Sequence, residues 1–169
     1  MANSSAIKEK EILKAQAQWG DAIVEIGNVY TAGGDVVKCA KKHIKKLYAY
    51  KVADQVLFKP TKCEKRQFRP TRKGALSYFV GNDLAPAGFP EDNGFAIAPY
   101  LSVKFVEAGF ILDKGPRAIT MGNYYFEKTD GELVKVEYTF GYIRGSSGLL
   151  IDLHHSSLPY VIPTKKCGS

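Results

Sequence analysis

The sequence predicts an α+β fold: a curved antiparallel sheet wrapped around a long N-terminal helix, with two shorter helices beside it. Three observations predict it. Apolar Ile12, Trp19, Ile23, Ile26 and Tyr30 recur at helical spacing near the start. The second half holds four alternating segments separated by short turns, the pattern of an antiparallel meander. The helices all precede those four strands, so the long helix must bury its apolar stripe on the sheet's concave face. Such a cone leaves a cavity at its open end.

Each element has a local reason. Ser4 and Ser5 are cap candidates for the first helix, which runs to about Tyr30. Gly33-Gly34 breaks it, and Asp35 is a good N-cap for a second helix with Val36, Val37, Ala40, Ile44 and Leu47 in one stripe. His43 falls on a different face from Ile44 and reads as a surface or boundary residue. Gln55–Lys59 is a short strand ended by Pro60, and Thr71 caps a third helix through Val80. Asn82–Asn93, with two prolines and one glycine and flanked by Gly81 and Gly94, is a long loop. The four strands are Tyr100–Ile111, Pro116–Lys128, Leu133–Tyr142 and Leu149–Ser157. Asp113-Lys114-Gly115, Asp130-Gly131 and Ser146-Ser147-Gly148 are the turns between them. Residues 1–18 read as an N-terminal extension with the start of the first helix, 19–160 as one domain, and 161–169 as a tail that contains Cys167.

Composition narrows the function classes. A chain of 169 residues with 45% hydrophobic residues supports one domain with a sizeable core. No apolar run approaches the roughly 20 residues of a membrane span, and MANSSAIKEKE has no apolar signal-peptide stretch. The net charge of +7 comes largely from Lys38–Lys51 and Lys59–Lys73. No zinc finger, aromatic single-strand platform or recognition helix accompanies it, so a solvated helix face and a basic loop are preferred over a nucleic-acid surface. Three cysteines, Cys39, Cys63 and Cys167, fit no zinc-ribbon or redox spacing and suggest free thiols in a reducing compartment.

The densest chemistry lies in Leu149–Pro159, LLIDLHHSSLP, which spends two of the three histidines. Strict alternation puts Leu149, Ile151, Leu153, His155 and Ser157 on one face, and Leu150, Asp152, His154 and Ser156 on the other. The first set is apolar until its end, as in a strand that crosses a core and finishes in a pocket. Adjacent His154 and His155 diverge and make poor co-ligands for one catalytic zinc. Cysteine ligation would need Cys39 or Cys63 to converge with a histidine. Asp152 and Glu137 fall opposite the apolar positions, so neither is an evident inward base. No third partner makes a triad with His155 and Ser157.

What remains is a hydroxyl-rich pocket with one imidazole. Thr61 after Pro60 and Tyr78 on the third helix are able to approach His155 and Ser157 from the opposite side. Tyr138 shares the apolar face of Val136, Phe140 and Tyr142, which directs its hydroxyl inward. The plainer alternatives are a turn residue for Thr61 and a core aromatic for Tyr78. Hydroxyls both donate and accept, which suits positioning a water or holding a small neutral or anionic oxygen compound.

The patterns NVYTAGGD, VLFKPTK, GALSYFVG, GNYYF, VEYTFGY and LHHSSLP, from Trp19 to Pro159, resemble the iota-class carbonic anhydrase domain. That domain is related to the association domain of calcium/calmodulin-dependent kinase II, in the NTF2-like/SnoaL-like superfamily. The resemblance implies an NTF2-like cone that hydrates CO2 to bicarbonate without a metal or other cofactor. It implies Thr61, Tyr78, His155 and Ser157 as the catalytic set, with His154 and Ser156 replacing the last two if the register is shifted. Thr61, Tyr78, Tyr138, Ser157, Phe79 and Phe140 would meet the substrate, with Leu153 among the apolar neighbours. His155 would take or relay the proton. The kinase domain has Arg at the position of His155, which favours the enzyme branch over a non-catalytic oligomerisation hub. A homodimer is expected, with a larger ring as the hub alternative. The expected partners are CO2 and bicarbonate, with no nucleic acid and no membrane. An algal source implies the chloroplast or another reducing compartment, a bacterial one the cytoplasm.

Overall fold

The computed structural model describes residues 5–53, 55–112 and 115–163. In chain order its elements are α1 (Glu9–Thr31), α2 (Val36–Leu47), β1 (Leu57–Lys59), α3 (Arg72–Val80), β2 (Tyr100–Leu112), β3 (Arg117–Lys128), β4 (Leu133–Gly145) and β5 (Gly148–Ser157). The expected Ser4 cap, the Asp113-Lys114 part of the first turn and Cys167 lie outside the described residues.

The sheet order is β1-β5-β4-β3-β2. The meander from β2 to β5 is antiparallel throughout. The short β1 adds a parallel edge strand, with Phe58 beside His154 and Lys59 beside His155. The Lys59 ammonium also donates to the Ser156 carbonyl at 2.9 Å, so part of the basic loop is used inside the fold.

α1 presents Ile12, Ala15, Gln16, Trp19, Ile23 and Ile26 to the sheet. Gly20 allows its backbone to approach β2, where an added Cβ would lie 3.2 Å from Val103. The helix begins later than the serine caps suggest. The Glu11 carboxylate accepts the Lys8 N–H at 3.0 Å, and the Ser5 carbonyl accepts from Arg144 at 2.7 Å instead. The other two caps are as expected: Asp35 accepts the Lys38 N–H at 2.9 Å, and Thr71 accepts the Gly74 N–H at 3.1 Å. His43 departs from its expected place; it is buried against α1, where Glu25 lies beside it.

One irregularity decides which side chains enter the cone. Tyr142 pairs with Ile151 and Gly141 with Leu153, which leaves Asp152 as an extra residue in β5. This is a β-bulge, and it reverses the alternation beyond it. Leu149 and Ile151 point inward as expected. After the bulge, His154 and Ser156 point inward, each 2% exposed. His155 is exposed on the outer face, and Ser157 there donates to Glu137 at 2.7 Å. Gly141 permits the bulge, because a Cβ there would sit 2.8 Å from both Asp152 Oδ1 and Leu153 Cβ. Asp152 itself is ion-paired to Arg117 of β3.

Candidate active site

The cone closes on a small cavity lined by Trp19, Phe58, Pro60, Thr61, Tyr78, Phe79, Phe95, Tyr124, His154 and Ser156. Its accessible space is about 10 Å³, close to the minimum that holds one water. A vestibule of about 220 Å³, bordered by Lys62, Glu91, Asn93 and Tyr100, lies outside it. Tyr78 and Phe95 line both spaces and stack at 5.5 Å with a 14° tilt, so this aromatic pair is the wall between them.

Each wall residue has a structural reason for its place. α3 supplies Tyr78 and Phe79. The Tyr78 and Phe79 carbonyls accept the Phe95 and Ala96 N–H groups at 2.8 and 2.9 Å, which folds Phe95 back over Tyr78. Thr61 sits in the segment between Pro60 and Pro70. There the Glu91 carboxylate accepts the backbone N–H groups of Glu64, Lys65 and Arg66 at 3.0, 3.0 and 2.9 Å. Arg69 anchors the far end, fully buried against Asp92 at 2.5 Å and over the Phe89 ring at 3.8 Å.

The imidazole of His154 is enclosed by rings. Phe58 stacks on it at 4.6 Å, Phe140 meets it edge-on at 4.3 Å, and Trp19 lies at 5.5 Å. This burial pushes the His154 pKa well below its ordinary value, and the neighbouring His155 adds to the effect.

Its tautomer follows from the hydrogen bonds. Trp19 Nε1–H can only donate, and it donates to the Tyr48 hydroxyl at 3.0 Å. Among the described residues the acceptor within reach of the Tyr48 O–H is His154 Nδ1, 2.8 Å away, so the hydroxyl proton is assigned to that bond. The proton of the neutral ring then sits on Nε2, which donates to Ser156 Oγ at 2.9 Å. Ser156 Oγ is also hydrogen-bonded to the Tyr124 hydroxyl, a contact in which either oxygen can donate. The Thr61 hydroxyl lies beside those of both Tyr124 and Tyr78. Trp19, Tyr48, His154, Ser156 and Tyr124 thus form a hydrogen-bonded chain that ends at the cavity. Desolvation raises the pKa values of Tyr48, Tyr78 and Tyr124, so the phenols, like the imidazole, are neutral at physiological pH.

Of the residues expected from the sequence, Thr61, Tyr78 and Phe79 line the cavity. His155, Ser157 and Leu153 do not, because the bulge at Asp152 turns them away. Phe140 forms a second layer behind His154. Tyr138 points inward but to a different place: its hydroxyl accepts from Gln16 at 3.1 Å, and it does not line the cavity. The sequence marks Trp19 only as part of the helix stripe and assigns no site role to Tyr48 or Tyr124. Tyr124 was reachable, since alternation along GNYYF places it on the same face as Phe126.

Fold and site together define an NTF2-like cone whose inner cavity suits a very small, uncharged or oxygen-bearing molecule. The chain belongs to the metal-independent carbonic anhydrase family, whose model matches residues 10–158. It is 43% identical over 159 residues to a metal-independent carbonic anhydrase of Nostoc sp. (strain PCC 7120), covering 92% of this chain and 75% of that protein. The crystal structure of a cyanobacterial iota-carbonic anhydrase complexed with bicarbonate superposes with a TM-score of 0.85 at 42% identity, over 93% of this chain and 95% of that one. A calcium/calmodulin-dependent protein kinase II association domain from Xanthomonas campestris, at 19% identity and TM-score 0.57 over 96% of this chain and 99% of that one, shares the fold.

Proposed function

We propose that CO2 is hydrated to bicarbonate in the inner cavity by a relay of neutral hydroxyls, with His154 and Ser156 in the places expected for His155 and Ser157. The observation that carries this reading is the enclosed cavity in which Thr61, Tyr78, Tyr124, His154 and Ser156 converge. Burial there favours protonated phenols and an unprotonated imidazole. The bicarbonate in the cyanobacterial structure supports the same substrate here.

Thr61 and Tyr78 hold the attacking water. The resting cavity holds only about one water, so the Tyr78 and Phe95 rings must part as CO2 enters from the vestibule to lie against Phe58, Phe79 and Trp19, with one oxygen toward Tyr124. The water oxygen forms a bond to carbon, and one C=O electron pair moves onto that CO2 oxygen. A water proton passes to a hydroxyl oxygen, and the relay delivers a proton to the new C–O⁻. The product is carbonic acid, which ionises to bicarbonate in solvent. Holding the two reactants in line supplies much of the rate gain, and the preset donors stabilise the developing negative oxygen.

Stopped-flow CO2 hydration, with chelator present throughout, tests the assignment. Activity is expected to persist, and Tyr124→Phe is expected to lower kcat/KM about 10²-fold, the lower range for a positioned proton-transfer group. Wild-type activity in Tyr124→Phe would overturn the site.

The outer sheet face supports a homodimer. Val106 and Met121 are exposed there, and they flank a hollow of about 410 Å³ lined by Asn123, Glu137, Thr139, His155 and Ser157. In this arrangement His155 and Ser157 serve association rather than chemistry. Light scattering of the purified chain distinguishes a dimer from a monomer or a ring.

A further inference from the structure

α1 and α2 bring together a second group of chemistry-bearing side chains, none of which lines the catalytic cavity. Cys39 and His43 are one turn apart on α2 and share the face that packs on α1. Glu25 meets them from α1. The ligating atoms of the three residues all lie within 4.8 Å of one another.

The separations bracket those of a metal shell, so seating an ion takes only small side-chain shifts. Ligands at ordinary zinc distances in a tetrahedron lie about 3.3–3.5 Å apart. His43 Nε2 is 2.9 Å from Glu25 Oε2, and Cys39 Sγ is 3.8 Å from Glu25 Oε1. The His43–Glu25 approach is close but misdirected. Nε2 is buried and makes no hydrogen bond, despite a carboxylate oxygen at contact distance. A buried nitrogen out of line with its carboxylate is left unsatisfied, and a cation bound by both, once the pair parts by a few tenths of an ångström, would satisfy them.

We propose that Glu25, Cys39 and His43 form a binding site for a borderline-soft divalent cation such as Zn²⁺, which pins α1 to α2. One thiolate, one imidazole and one carboxylate suit that class of ion. Three protein ligands leave a fourth position for water. Burial already holds the His43 ring below its ordinary pKa and thus ready to ligate. Burial raises the Cys39 thiol, so binding must release its proton. The charged neighbours are Lys42, 3.6 Å from Glu25 Oε1, and Lys46. Lys42 is exposed and free to swing away when the cation takes its place.

The test is a Co²⁺ titration of the full chain, metal-stripped and reduced with a non-chelating phosphine. A Cys63→Ser/Cys167→Ser background leaves Cys39 as the single thiol. The expected result is one Co²⁺ per chain with a thiolate charge-transfer band in the near ultraviolet, displaced by Zn²⁺. Cys39→Ser in that background should abolish the band. Glu25→Gln and His43→Gln should weaken binding at least about tenfold, the lower end of the effect of losing even an outer-shell partner. Glu25 is half-exposed, so its variant is expected to fold whatever happens to the other two. Zn²⁺ should raise Tm in the parent and not in His43→Gln, while CO2 hydration with chelator stays unchanged. Absence of the band, or a band of equal affinity in Glu25→Gln and His43→Gln, would overturn the site.

Discussion

The Tyr48 hydroxyl accepts the indole N–H of Trp19 at 3.0 Å and faces His154 Nδ1 at 2.8 Å, so a residue just past α2 fixes which nitrogen of a β5 histidine carries the proton. Tyr48→Phe removes that instruction. It leaves Nδ1 and the Trp19 N–H without their partner, and the ring becomes free to turn its donor away from Ser156. Losing one buried hydrogen bond of this kind costs about 1–3 kcal/mol, so hydration should slow roughly 10- to 100-fold. Nitrogen-detected NMR of the histidines should show Nε2–H in the wild type and a mixture in the variant. An unchanged spectrum would refute the relay.

The protonation states predict an unusual pH profile. The pKa of His154 is lowered well below 6.5, and those of Tyr78 and Tyr124 are raised above 10. None of them changes charge between about pH 6.5 and 9, within the reference values of the free side chains. The kcat for hydration should be flat across that window. A sigmoid centred near 6.5 would mean that an imidazole acts as a titrating base.

Stability should respond to pH where catalysis does not. His43 and His154 both have folded pKa values below the unfolded value. Below about pH 6.5 the unfolded chain therefore binds more protons than the folded one, and stability present above that pH is lost as the pH falls. The slope approaches about 1.4 kcal/mol per pH unit for His154, whose pKa is lowered well below the free value, and is smaller for His43. Urea unfolding at successive pH values should show it, and His43→Gln should remove part of the slope.

Paired serine variants read the register directly. Ser156→Ala removes the link between His154 and Tyr124 and should lower kcat/KM about 10- to 100-fold. Ser157 bonds Glu137 on the outer face, and Ser157→Ala should stay within about twofold, as expected for a surface substitution. The reverse order of effects would restore the strictly alternating strand.

Gly141→Ala tests the bulge. The added methyl would meet Leu153 Cβ and Asp152 Oδ1 at 2.8 Å, and overpacking of this kind costs about 1–3 kcal/mol. A lower urea midpoint with reduced hydration is expected. A variant as stable and active as the wild type would show that β4 and β5 pair without that close approach.

The parts of this structure legible in the sequence are those fixed by neighbours in the chain. Asp35 and Thr71 cap their own helices, and Asp130-Gly131 and Ser146-Ser147-Gly148 close their own hairpins. The strand limits therefore fall within a few residues of the expected ones. The face of His154 is different in kind. It depends on Gly141, on the opposite strand, and on Arg117, one strand further, neither of which leaves a mark in LLIDLHHSSLP. Tyr48 escaped notice for the same reason, since its role exists only once Trp19 and His154 are folded against it. Cys39 and His43 were one helical turn apart in plain view, but Glu25 joins them only through the packing of α1.

The bulge also bears on how this strand tolerates change. His154-His155-Ser156-Ser157 is a doublet, so either parity of β5 presents a histidine followed two residues later by a serine. An insertion or loss upstream that shifted the frame by one would replace His154 and Ser156 by His155 and Ser157, and the cavity would still receive an imidazole and a hydroxyl. The duplicated motif is a buffer against register error in β5, the strand where such errors would otherwise erase the site.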